Sequence, residues 1–144
     1  MTHPGPEPLA RFLDAQGPVY ARVTEELRAG RKASHWMWYV FPQLRGLGWS
    51  PLAQHYGISG LAEAQAYLVH PVLGRRLEEC VRLVLAVEGR TAEQIFGHPD
   101  VLKFRSCLTL FAAAAASPEP FHQALAKYYG GEPDPATLRL LAQA

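Results

Sequence analysis

DVLKFRSCLTLFAAAAA, from Asp100 to Ala116, is the stretch whose reading decides the fold. Val101, Phe104, Leu108, Phe111 and Ala115 recur at steps of three and four, one seam of a helical period, with Cys107 and Leu110 to one side. A helix apolar over so much of its circumference belongs at the centre of a domain. Asp100 is placed to act as its N-cap. The alanine run at its far end favours helix and lets a neighbour approach closely.

Working outward, the same period recurs on both sides. Leu73, Leu77, Cys80, Val84 and Val87 mark a helix from Pro71 to about Glu88, with Glu78 and Arg82 an i,i+4 pair on its polar face. Thr91 with Gln94 is a capping box for a short helix between the two. After the central helix, Ser117-Pro118 caps a segment bearing Phe121, Leu125 and Tyr128 or Tyr129 that Gly130-Gly131 ends, and Asp134-Pro135 opens a last one. Before it, helices are expected at Pro8, Pro18, Ser50-Pro51 and Ser59 (the last as a cap), and Gly30 is suited to the C′ position of the second. The tally is eight or nine helices and no confident strand. The class is all-α: a single compact domain over 8–144, packed around the 100–116 helix and preceded by a Pro-rich disordered tail over 1–7.

Length and composition agree. A chain of 144 residues is one domain, and burying roughly 70% of its unfolded surface gives it a core without staples. Hydrophobic residues make up 49%, charged residues 19%, and the net charge is +1, so no global field directs it to nucleic acid or a membrane. Cys80 and Cys107 each sit in an apolar helical pattern and read as buried free thiols in a reducing compartment. No apolar run reaches the ~20 residues of a membrane span, and the N-terminus lacks a signal-peptide layout, so a soluble, cytoplasmic protein is expected.

Chemistry concentrates in GRKASHWMWYVFPQLRGLG, Gly30 to Gly48. Ser34 is placed to cap a short helix through HWMWYV that ends before Pro42. Alternation would also suit a strand, but the chain offers no partner strand. Trp36, Trp38, Tyr39 and Phe41 are core in part, and one face of so dense a cluster can remain open for stacking. Arg31 and Lys32 beside it supply cations for phosphate or carboxylate. His35 is the candidate for proton transfer because of its company. The six histidines show no metal-ligand spacing, so no metal or other cofactor is expected.

A second constellation, Asp100, Lys103 and Ser106, forms a polar strip along one side of the central helix. A hydrogen-bonded Asp–Lys element suits it better than a nucleophilic Ser106, since no serine-hydrolase motif surrounds it. Joined to the polar edge of the aromatic stretch, including Gln43, it makes a site for a small anionic, partly aromatic ligand such as a nucleotide or an ADP-ribose-like molecule. The rival use of the aromatic stretch is as an exposed patch that docks a partner or a second copy of the chain.

RFLDAQ (Arg11 to Gln16), the Glu26–Gly48 segment with HWMW and FPQ, EAQAYLVHPVLGRRL (Glu63 to Leu77), IFGHPD (Ile95 to Asp100) and KFRSCLTLF (Lys103 to Phe111) resemble, in order, the motif blocks of the DUF1810 family. That resemblance implies an all-α domain whose activity is unassigned. Some such proteins carry the label calpastatin, whose inhibitory segments are disordered, unlike the packed globule this composition describes.

Overall fold

The computed structural model describes residues 8–143 and contains ten helices among them: α1 (Ala10–Gln16), α2 (Tyr20–Arg28), α3 (Met37–Val40), α4 (Pro51–Tyr56), α5 (Leu61–Val69), α6 (Leu73–Leu85), α7 (Ala92–Phe96), α8 (Asp100–Ala114), α9 (Glu119–Tyr129) and α10 (Pro135–Ala142). That is one or two more than the tally of eight or nine. The tail over 1–7 lies outside the described residues. The nearest approach to a sheet among them is an isolated parallel bridge between Leu44 and Ile58.

The central position of α8 follows from its pattern. Phe104 and every residue from Ser106 to Phe111 are buried, and the helix packs against α5, α7, α9 and α10. α6, the most amphipathic helix, lays Leu73, Leu77, Cys80, Val81 and Val84 against α2, α5 and α9. Its exposed Glu78–Arg82 pair is present at 3.4 Å but lies in water, where such pairs contribute little. Gly74 sets the α5–α6 contact. A Cβ there would lie 2.0 Å from the Leu68 carbonyl oxygen, so only a hydrogen lets α6 seat on the last turn of α5.

Several helix starts match their local signals. Thr91 and Gln94 form the full capping box of α7, Ser50 accepts from the Ala53 N–H, and Asp134 accepts from the Thr137 N–H. Gly30 follows α2 with φ +72°. Four expected caps do not form. At α9 the N-cap is Pro118, and no Ser117 side chain caps the helix. Ser34 leaves the α3 N-cap to Trp36 because its hydroxyl is bonded to Glu26. Gly60, not Ser59, precedes α5. Pro99 takes the α8 N-cap, after a cis His98–Pro99 bond, and Asp100 becomes the first helical residue with its carboxylate turned to lysines.

The aromatic stretch is anchored from both sides. Phe41 meets Phe104 of α8 edge-on at 4.9 Å and Phe96 of α7 at 5.8 Å. The buried Gln16 of α1 donates to the Tyr39 carbonyl at 2.6 Å and to the Tyr67 hydroxyl at 2.9 Å. The chain after α3 is then held at the bridge, where the Ile58 N–H donates to the Gln43 carbonyl and the Arg45 N–H to the Ile58 carbonyl, both at 2.8 Å. Gly57 permits that approach, since a Cβ there would meet Arg45 Cβ at 2.8 Å. This clamp presents Gln43 toward α8.

Candidate functional site

A one-turn helix separates the two tryptophans of HWMW. Successive residues on a helix turn by about 100°, so Trp36 and Trp38 point to different sides. Trp36 is 1% exposed and lies in the core. Its indole N–H donates to Glu26 Oε1 at 2.9 Å, while the Ser34 hydroxyl donates to Oε2 at 2.6 Å and the Ala33 and Ser34 N–H groups donate to Oε1. Burial alone would raise the Glu26 carboxyl. The four hydrogen bonds outweigh it and hold the group below its ordinary value. Glu26 thus fastens the polar start of the stretch to α2.

Trp38 faces the other way, half-buried, with Lys103 Nζ 4.6 Å from its ring centroid. Lys103 also lies 3.5 Å from Asp100 Oδ1, while Asp100 Oδ2 is paired with Lys32 at 2.9 Å. Lys32 in turn stands over the Trp36 ring at 5.1 Å and donates to the Ser34 carbonyl at 2.6 Å. Asp100 is therefore a joint between the two polar segments. Its tighter bond goes to Lys32, a side chain only 8% exposed, so the looser Lys103 retains ammonium hydrogens for a ligand.

Trp38, Gln43, Trp49, Leu102, Lys103 and Ser106 line one cleft of about 440 Å³, within the range of roughly 300–1,000 Å³ usual for small-molecule sites. The structure brings Trp38, Gln43, Lys103 and Ser106 together here, with Asp100 behind Lys103. His35 and Arg31 are exposed and outside the lining, Lys32 acts through Asp100, and Trp36 is closed off in the core. Ser106 donates its hydroxyl to the Leu102 carbonyl of its own helix at 3.1 Å. Among the described residues no histidine or carboxylate bonds to it, as a nucleophile would need.

Trp49 is the residue the sequence reading passed over. It is 78% exposed, the most open aromatic among the described residues, and stands at the cleft mouth with Leu102, which is 52% exposed. Its only signal in sequence is its place after the glycine turn GLG, away from the apolar periods that account for most other large side chains. Since Trp36 is buried and a face of Trp38 carries Lys103, Trp49 is the ring available for stacking.

A larger recess of about 520 Å³ surrounds Arg11, Asp14, His55 and Tyr56. Arg11 there is already bonded to Glu63 and to the carbonyls of His55 and Gly57, so its guanidinium is saturated. Among the described residues no three His, Cys, Asp or Glu side chains are grouped to hold a metal, and no helix is long and apolar enough to cross a membrane. Cys80 and Cys107 are both free and buried.

Fold and cleft together define a small all-helical domain with a tryptophan-rimmed recess beside its central helix. The chain belongs to the family described as a protein of unknown function (DUF1810), which it matches over residues 6–141. It is similar, at 63% identity and a TM-score of 0.92 over 93% of this chain and 96% of the other, to the crystal structure of the conserved hypothetical protein Rv1873 from Mycobacterium tuberculosis. No curated protein is detectably similar to it.

Proposed function

We propose that the protein binds a small ligand with one anionic group and a planar ring, of the nucleotide kind, in the cleft between the 43–49 segment and α8. The observation that carries this reading is the convergence of Trp38, Gln43, Lys103 and Ser106, from two distant stretches of chain, on one cleft with an open indole at its mouth. Stacking on an aromatic side chain is worth about 1–3 kcal/mol per base, so Trp49 alone is a substantial anchor. Lys103 meets the anion. Asp134 is also among the residues that line the cleft, so the charge around it is mixed, which favours one anionic group over a polyphosphate chain.

A thermal-shift screen of nucleoside monophosphates and sugar phosphates tests the reading, because a ligand that binds only the folded state raises Tm by mass action. Trp49→Ala and Lys103→Ala should each abolish the shift. A shift that survives both substitutions, or no shift with any member of the panel, rejects the site. The rival reading, association with a second copy of the chain, draws on the exposed Trp49 and Leu102. It requires a mass above 15.9 kDa by light scattering that Trp49→Ala returns to that of the monomer.

A further inference from the structure

Lys32 is the most deeply buried side chain in any ion pair of the described residues, 8% exposed against 17% for Asp100 and 21% for Lys103. It is held from several sides. Its backbone N–H donates to the Ile95 carbonyl at 2.7 Å, and its ammonium donates to the Ser34 carbonyl at 2.6 Å and pairs with Asp100 Oδ2 at 2.9 Å. Asp100 is its carboxylate partner, since Glu26, which also bonds to Ser34, is spent on the N–H and O–H donors of residues 33, 34 and 36. Lys32 does not line the cleft, whereas Lys103 does.

Two ammonium groups and one carboxylate leave this row with a net positive charge. Without Lys32 the row is neutral, and Asp100 has only Lys103, 3.5 Å away, as a counter-charge. A ligand anion then competes with an internal carboxylate for one ammonium, in a partly buried place that water screens weakly. Asp134, the other carboxylate of the lining, does not change this comparison: its Oδ2 takes the Thr137 N–H and hydroxyl at the start of α10, whether or not Lys32 is present.

Resting on the reading of the cleft as a nucleotide site, we infer that Lys32, from outside the cleft, sets its affinity for the anion by holding Asp100 and so leaving the charge of Lys103 to the ligand. Lys32 is a positioning residue, and Asp100 is the internal competitor it restrains. The polar start of the aromatic stretch thereby serves binding without touching the ligand. It carries the counter-charge to α8, and Glu26 holds it in place through residues 33 and 34.

AMP, GMP, CMP and UMP, titrated by calorimetry into the full chain and its variants, test this. For the tightest of the four, Lys32→Met should weaken binding at least about tenfold, the effect of one uncompensated charge close to the site at low effective dielectric. Asp100→Asn should instead tighten it by about threefold or more, since the competitor is gone and both ammonium groups remain. The double variant Lys32→Met/Asp100→Asn should return to within about threefold of the unmodified protein, because Lys103 is again free of a carboxylate. A Lys32 that merely shapes the stretch gives a different result, since removing its partner as well would not restore binding. Unchanged binding in Lys32→Met, no tightening in Asp100→Asn, or a double variant as weak as Lys32→Met overturns the inference and leaves the nucleotide reading standing. Should Lys32→Met fail to fold, Asp100→Asn decides alone, because loss of a structural contact does not tighten binding. Failure of all four nucleotides to bind the unmodified protein removes the nucleotide reading itself, and the inference with it.

Discussion

The Glu26 carboxylate, on the last turns of α2, accepts the indole N–H of Trp36 at 2.9 Å and three further hydrogen bonds from residues 33 and 34. It seals one tryptophan of HWMW into the core and so leaves its neighbour Trp38 to the cleft.

Replacing Glu26 with Gln removes the charge from four hydrogen bonds and leaves at least one donor poorly matched. An unsatisfied buried donor costs about 1–3 kcal/mol, so a loss of that size in urea denaturation at pH 7 is expected. The pH dependence has a definite sign. The folded Glu26 carboxyl sits below its unfolded value near 4.3, so its stabilisation is complete above that value and is lost as pH falls through the folded one. The stability gap between wild type and Glu26→Gln should therefore be widest at neutral pH and narrow steadily below about pH 4. A gap that stays constant into acid would show that the carboxylate's charge contributes nothing.

Gly74→Ala should destabilise by about 1–3 kcal/mol or more, because the added methyl meets backbone at the α5–α6 contact and cannot be relieved by a side-chain rotation. Gly60→Ala, with extended backbone and open space around the same added atom, should stay within about 0.5 kcal/mol. Guanidinium titrations of the two variants, compared by midpoint, make the distinction.

Both thiols should be silent in the native protein. Burial pushes Cys80 up to about 12 and Cys107 well above its ordinary value, so at pH 8 only about one Cys80 in ten thousand is the reactive thiolate. A disulfide reagent should titrate neither cysteine before unfolding and both after denaturant is added. Rapid labelling of a native cysteine would show that α6 or α8 opens readily.

Intrinsic fluorescence separates the three tryptophans. Trp49 is 78% exposed and Trp36 is 1% exposed, so acrylamide should quench a readily accessible fraction and leave a protected one. Trp49→Phe should remove most of the accessible fraction with stability changed by less than about 0.5 kcal/mol. Retention of the easily quenched fraction in that variant would mean that Trp38 is the open ring.

The sequence by itself determined the all-α class, the place of α8, the capping box of Thr91 and Gln94, and the helix starts at Ser50-Pro51 and Asp134-Pro135. Each rests on contacts within three or four residues, where a helix fixes the geometry in advance. It also brought Gln43, Lys103 and Ser106 under one suspicion as polar groups beside apolar seams. Tertiary structure decided the rest. Asp100 has the residue type of an N-cap, yet Lys32, distant in sequence, draws its carboxylate away. Ser34 is taken in the same way by Glu26, eight residues earlier. Trp36 and Trp38 look alike in the chain, and only the choice of a helical turn over a strand, with Glu26 and Phe41 to hold it, sends one inward and one to the cleft. Trp49 belongs to no periodic face, so its openness depends on what packs around the glycine turn, a matter of three-dimensional neighbours that no local spacing records.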